Sequence, residues 1–331
     1  MSSPLELIEV GMYLSIGIAI YNEENTIINC LKQLIKSVND FQVHFYFCLN
    51  GCTDHSYENI LQWMKKYKTD EYSILRSLKG KTLAQKIILN EIKKDGHEKE
   101  PVLFLDADVL VEEKCIQKLY EELFRVERLL AVGALTVPDG IRKGLFFHIL
   151  NIRNLFPESE VSLYDVTAYK WYAYHYPQPE TNPAWEIRSK IYFHGRCFML
   201  KRAELFVLPN DERVFDDTYL PNWLHYHYGP GVIRTIYSAR VHYKAYENLF
   251  EHWKTYWRIY NDKAYLDAQY PCFRISRKME TTVLDKEYIQ SLSSREQFYF
   301  LLYNCIVKAE MLSYHLLPFV DARRIWRYKK K

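Results

Sequence analysis

The stretch VLFLDADVLV, Val102–Val111, decides the reading of this chain. A run of strand-forming apolar residues breaks into two carboxylates, Asp106 and Asp108, and then turns apolar again. One reading is a strand end that reaches water, with the acids solvated or capping the next helix. The other is a metal and nucleotide site. On a strand, residues at i and i+2 project from the same face, so both acids would address one ligand.

The flanking sequence favours a site. YLSIGIAIY (Tyr13–Tyr21) is a nearly continuous apolar run, as in a strand buried on both faces. The next segment, NEENTIINCLKQLIKSV, has helical spacing, with Glu23 and Glu24 suited to a helix N-terminus. VHFYFCL (Val43–Leu49) and YSIL read as further strands, each followed by a helical segment; the second of these, KTLAQKIILNEIKKDG, closes on Gly96. PVLFL, then EEKCIQKLYEELFRV, then LLAVGAL continue the alternation. This order predicts a mostly parallel sheet with right-handed crossovers, which binds ligands at the carboxyl ends of its strands. Three exits then meet at one edge, after Tyr21, Leu49 and Leu105: Asn22-Glu23-Glu24, Asn50-Gly51-Cys52-Thr53-Asp54 and Asp106-Ala107-Asp108.

The second half is less regular. LYDVTAYKWYAYHYPQPETNPAW reads either as an aromatic insertion over the sheet edge or as a packed satellite core. KIYFHGRCFMLKRAELF resumes a strand, with Gly195 permitting a close backbone approach, and leads into a helix. VFDDTYL brings a second acidic pair, Asp216 and Asp217, and LPNWLHYHYG reads as a loop. After Val241 the pattern is helical, and Trp253, Tyr256, Trp257 and Tyr260 read as packing residues.

Bulk properties narrow the classes. The 331 residues are 48% hydrophobic and 26% charged, an ordinary globular balance with room for a large core. Glycine and proline are few (11 and 12), which argues against long disordered linkers. The 28 tyrosines fit either composition bias or ring stacking on carbohydrate or base. A net charge of +3 is too small to imply nucleic-acid binding. RRIWRYKKK (Arg323–Lys331) concentrates basic charge around two aromatics, giving either a solvated tail or a weak contact with an anionic membrane surface. Seven cysteines without a CxxC fit reduced thiols. With no secretory signal and no apolar run of spanning length, the expected location is cytoplasmic, peripheral to a membrane at most.

Together the motifs resemble family-2 glycosyltransferases of the GT-A fold. IAIYNEENTI resembles the opening nucleotide-binding motif, and CLNGCTDHS the DDGSTD turn, with Asn50 where the family often has Asp. KGKTLAQKIILNEI resembles the glycine-containing segment before the third helix, and FLDADVLV the DxD signature. GRCFMLKRAEL and FDDTYL resemble the acceptor-side glycine, basic pair and acidic base motif. The resemblance spans Tyr13 to Leu220. It implies an α/β, Rossmann-like GT-A fold with a mostly parallel central sheet flanked by helices. The GT-A domain is expected over 1–245, with a nucleotide-sugar half (13–110) and an acceptor half (140–245) that carries the aromatic insertion (160–190). A helical extension follows over 246–331.

The resemblance also implies roles. Asp217 would be the catalytic base, with Asp216 flanking it. Tyr21, Asn22, Glu23, Asn50, Lys81 and Asp106 would bind the nucleotide-sugar donor. Asp108 would hold a divalent metal, Mn²⁺ or Mg²⁺, with His242 in the place of a third metal-side ligand; a buried structural histidine is the competing reading, and His225 and His227 compete for the role. The implied reaction is an inverting transfer of one sugar, UDP-sugar favoured, to a glycan, glycolipid or protein. The QxxRW pattern of processive members is absent: Trp257-Arg258 reverses its last two residues. Two other functions compete: a non-catalytic sugar-nucleotide or partner binder of the same fold, and a nucleotidyltransferase. The latter is disfavoured because no glycine-rich basic loop follows the first strand.

Overall fold

The computed structural model describes residues 12–67, 71–139, 144–152, 190, 192–211, 214, 216–273 and 289–316, together with the backbone of 163–164, 282–283 and 286–288. The aromatic insertion at 160–190, apart from the backbone of 163–164 and Lys190, lies outside the described residues, as does the basic tail.

The first half forms as its pattern dictates. Strand β1 (Met12–Ile20) is flanked in parallel by β2 (Phe41–Asn50) and β4 (Val102–Asp106), and β3 (Tyr72–Ser77) adds outside β2. Helices α1 (Ile27–Ser37), α2 (Ser56–Tyr67) and α3 (Lys81–Lys94) make the connections. Leu14, Ile16, Ile18 and Ile20 are fully buried, which is why β1 reads as an unbroken apolar run. One core joins β1 and β2 to α1, α2 and α4 (Cys115–Arg125), while the other lies between the sheet and α3.

Beyond β4 the sheet changes sense. Strand β8 (Cys197–Leu200) is antiparallel to both β4 and β6 (Ala131–Asp139). Strand β9 (Ile233–Lys244) runs parallel to β6, and β5 (Leu110–Val111) closes the far edge. The order is β3-β2-β1-β4-β8-β6-β9-β5. The β6–β9 register jumps between Ala134 and Leu135, where residues 237–239 have no partner. Such a bulge bends and twists a strand, and beyond it His242 pairs with Leu110, just after the Asp106–Asp108 turn. A two-residue pair, β7 (Leu163–Tyr164) with β10 (Thr282–Val283), stands apart.

The remaining helices are α5 (Leu145–Leu150), α6 (Asp216–Tyr228), α7 (Leu249–Gln269), α8 (Lys286–Ser291) and α9 (Ser294–Leu316). α7 packs along α9: Trp253 and Trp257 both donate indole N–H bonds to Ser313 Oγ, at 2.9 and 2.8 Å. These aromatics are packing residues, as the spacing predicts.

Four local expectations are corrected. β4 ends at Asp106, and Asp108 lies in the following turn, so strand alternation does not place the two acids on one face. α1 begins at Ile27, leaving Glu23 and Glu24 in the preceding turn. After β8 the chain makes a three-residue 3₁₀ turn, Ala203–Leu205, instead of a helix; Pro209 soon follows, and no helix can run through it without losing a donor. LPNWLHYHYG is mostly helix: Leu220, Pro221, Asn222, Leu224 and His225 are buried on α6. Pro221 lies inside α6, so it reads as a breaker in sequence while burial holds the helix together.

Candidate active site

Two loops at the carboxyl edge are bound to each other. The Asn22 carboxamide accepts the Thr53 N–H at 2.8 Å, the Glu23 N–H donates to Ser56 Oγ at 2.8 Å, and the Glu24 N–H donates to Asp54 at 3.0 Å. Asn22 takes a left-handed conformation, φ 55°, which asparagine tolerates better than most residues. The Tyr21 ring and hydroxyl meet Lys79, whose Nζ is 4.2 Å from the ring centre and 3.0 Å from the oxygen. Asn50 is buried, and its Oδ1 accepts the Gly80 N–H at 2.7 Å and the Ser77 hydroxyl at 3.3 Å. Asn50 therefore anchors the loop that leads into α3.

Lys81, the first residue of α3, spans the two halves of the site. Its Nζ lies 2.6 Å from Asp106 Oδ1, 2.9 Å from Asp216 Oδ2 and 2.8 Å from the Gly195 carbonyl. An ammonium has three donors, and all three are used. Burial opposes the Lys81 charge, but Asp106 and Asp216 outweigh it and hold its pKa above the ordinary lysine range. Burial pushes the Asp106 carboxyl up; Lys81 pulls it back, Asp108 and Asp216 add to the rise, and it settles at about 7. Gln85, one turn further along α3, donates to Asp216 at 2.7 Å.

Gly195 makes this packing feasible. A Cβ there would stand 2.8 Å from both Asp216 carboxylate oxygens. The glycine reading anticipated a close approach, and the approaching group is a carboxylate.

Asp216 and Asp217 occupy different environments. Asp216 is 3% exposed and its Oδ2 takes both Lys81 and Gln85, whereas the Asp217 side chain keeps 25% of its surface. The Tyr192 hydroxyl donates to Asp217 at 3.2 Å, and His194 Nδ1 lies 3.6 Å away. Arg196 Nη1 reaches His194 Nε2 at 2.8 Å and its guanidinium stacks on the Tyr243 ring at 3.8 Å. From α7, Asp262 adds a further acid: burial lifts its carboxyl to about 8, Arg258 pulls it down, and Asp217 pushes it up.

Asp108 is exposed, with no hydrogen bond or ion pair among the described residues. His242 Nε2 is 2.8 Å from Glu112 Oε1. His225 and His227 sit in the last turn of α6, whereas Asp216 and Asp217 open it. Among the described residues, no three of His, Cys, Asp and Glu converge as a ready-made metal site.

The structure thus brings Lys81, Asp106, Asp216 and Asp217 into one cluster, and Tyr21, Asn22, Glu23 and Asn50 into the adjoining loops. Gln85, Tyr192, His194, Arg196 and Asp262 were missed. The polar residues flanking Gly195 in FHGRC were a legible signal; Gln85 and Asp262 lie in ordinary helical stretches and gave none.

A family model described as Glycosyl transferase family 2 matches residues 15–205, more than half of the 331 residues. The chain belongs to this family. Among solved structures, it resembles the mannosyltransferase PcManGT from Pyrobaculum calidifontis, in complex with GDP-Man and Mn²⁺. Identity is 14% over 95% of this chain and 82% of that one, with a TM-score of 0.51. S. aureus TarS 1-349 matches at 14% identity, 90% and 81% coverage and TM-score 0.47. Glucosyl-3-phosphoglycerate synthase from Mycobacterium tuberculosis, in complex with phosphoglyceric acid, matches at 14%, 78% and 80%, and 0.45. A search of curated protein sequences finds no match. The fold is that of the GT-A glycosyltransferases, with a helical C-terminal region.

Proposed function

We propose that the protein is an inverting glycosyltransferase that moves one sugar from a nucleotide-diphosphate sugar, UDP-sugar favoured, to a glycan, glycolipid or protein acceptor. The observation that carries this reading is the Lys81 bridge. It ties the end of the central strand, Asp106, to the opening of α6, Asp216, and leaves the neighbouring Asp217 partly exposed.

Each residue then has a task. The loops of Tyr21, Asn22 and Glu23 hold the nucleotide end of the donor. Asn50 orders the loop before α3, with its amide nitrogen left to meet a base edge. Lys81, with its three donors used by Asp106, Asp216 and the Gly195 carbonyl, acts as a strut at the donor end of the site. Asp217 accepts the proton of the acceptor hydroxyl as that oxygen bonds to the anomeric carbon. The bond from that carbon to the diphosphate breaks, and the nucleoside diphosphate leaves as an anion. One displacement inverts the anomeric centre and needs no enzyme nucleophile. Tyr192 and His194 orient Asp217.

The residues fit a hard divalent cation such as Mn²⁺ or Mg²⁺. Asp108 offers an exposed carboxylate oxygen of the right kind. His242 has Nε2 committed to Glu112, which leaves Nδ1 for a ligand, the arrangement of many metal-bound histidines. When bound, the cation supplies charge neutralisation for the leaving diphosphate.

The test is Asp217→Asn, read by UDP release from a panel of UDP-sugars with water as the acceptor. Release falls by about 10²–10⁴-fold, as expected for loss of a general base, while donor affinity is retained. Undiminished release in the variant contradicts the assignment of the base. No release by the unaltered protein from any donor favours the non-catalytic binder, and release of pyrophosphate revives the nucleotidyltransferase.

A further inference from the structure

Helix α9 is apolar on both sides. Its inner side buries Tyr299, Phe300 and Tyr303 against Ile149 and Ile152, and Glu310 against His252 at 2.8 Å. Its outer side exposes Phe298 (53%), Leu301 (60%), Leu312 (57%) and Leu316 (67%), with Cys305 in line between them. These positions recur at helical spacing and form one stripe. At 1.5 Å per residue it runs roughly 27 Å. A soluble helix ordinarily turns a polar face to water; this one does not.

The charges on the helix are as informative as the apolar residues. From Gln297 to Leu316 the sequence holds two charged residues, Lys308 and Glu310. Glu310 is buried, whereas Lys308 is exposed. The outer stripe therefore carries positive charge and no negative charge. The next fifteen residues, LPFVDARRIWRYKKK, hold six Lys or Arg against one Asp, with Trp326 and Tyr328 among them. A second copy of this chain would bring like charge to like charge. An anionic lipid surface complements both the cations and the apolar stripe, and interfacial aromatics favour it. No helix among the described residues is long and apolar enough to cross a membrane, so such contact lies along the surface.

We propose that the outer face of α9 docks onto an anionic lipid surface. This goes beyond the transferase reading and does not depend on it. It would bring the helical side of the molecule to the bilayer, as suits an enzyme whose acceptor is lipid-linked.

The test is co-sedimentation of the full chain, without nucleotide, with vesicles of phosphatidylcholine and with vesicles containing about 30% phosphatidylserine, an anionic surface. The chain sediments with the anionic vesicles and much less with the neutral ones, and salt weakens the binding. The double variant Leu301→Glu, Leu312→Glu alters exposed positions and keeps its thermal midpoint, yet loses binding by at least about tenfold. Replacing the six cations of residues 323–331 by glutamine removes the preference for anionic vesicles. Failure of the unaltered chain to bind anionic vesicles overturns the proposal. So does sedimentation equilibrium showing a dimer that becomes a monomer in the double variant, because the stripe then belongs to a second copy. Failure of the transferase reading would leave these outcomes unchanged.

Discussion

Lys81 and Asp216, the first residues of α3 and α6, meet at 2.9 Å. A lysine at a helix N-terminus opposes the helix dipole, so the position is held by the acids around it. Lys81→Met strands Asp216, which is 3% exposed, with Gln85 as its remaining donor, and removes the cation beside Asp106. Breaking a fully buried pair costs about 3–5 kcal/mol. Because Lys81 and Asp106 keep 29% and 26% of their surface, the expected loss is about 2–3 kcal/mol. Urea unfolding of the variant measures it.

Gly195→Ala tests the packing over the same carboxylate. The added methyl would sit 2.8 Å from both Asp216 oxygens, and Asp216 is tied by Lys81 and Gln85 and cannot swing away freely. Overpacking of this kind costs about 1–3 kcal/mol. UDP release falls with it, because any shift of Asp216 moves Asp217. A variant with unaltered stability and turnover would show that the strut is loose.

Asn50 separates two roles by two readouts. Asn50→Ala leaves the Gly80 N–H without its acceptor and costs about 1–3 kcal/mol. Asn50→Asp keeps the acceptor oxygen and loses less. If the amide nitrogen also reads a base edge, the Asp variant changes nucleotide affinity at near-constant stability. Chemical denaturation and nucleotide titration distinguish the two.

Asp262 predicts a pH dependence. In the folded chain its carboxyl holds a proton to about pH 8 because burial disfavours the charge; in an unfolded chain an aspartate ionises near pH ~4. Between these values the native state binds more protons than the unfolded one. Its contribution is therefore lost as pH rises through about 4 to 8. Asp262→Asn flattens that part of the stability profile, by up to about 5 kcal/mol across the whole range. Denaturation midpoints across this range, for both proteins, supply the check.

The first half of the fold was legible because the central strands β1 and β4 are buried on both faces, so their apolar runs report position directly. Asp106, Asp216 and Lys81 were named from motif order, and they converge. What sequence missed depends on long-range placement. Strand alternation misplaced Asp108 because the strand stops two residues earlier, at Asp106. Pro221 disguised α6 as a loop, since propensity at one residue says little when four of its neighbours are buried. Tyr192 and His194 acquire meaning only because α6 returns Asp217 to them. Residues 13–110 and 140–245 remain our proposed donor and acceptor halves, and the strut of Lys81 joins one to the other.

The central claim is that this edge of the sheet binds a nucleotide diphosphate with a divalent cation at Asp108. The most direct measurement is thermal unfolding with UDP, GDP, CMP or ADP, each with and without Mn²⁺. A ligand that binds the folded state raises its midpoint. The account predicts a rise with UDP that requires Mn²⁺ and disappears in Asp108→Ala; a rise with GDP instead keeps the chemistry and changes the donor. A rise with none of the four nucleotides, at concentrations well above ordinary donor affinities, would contradict the account.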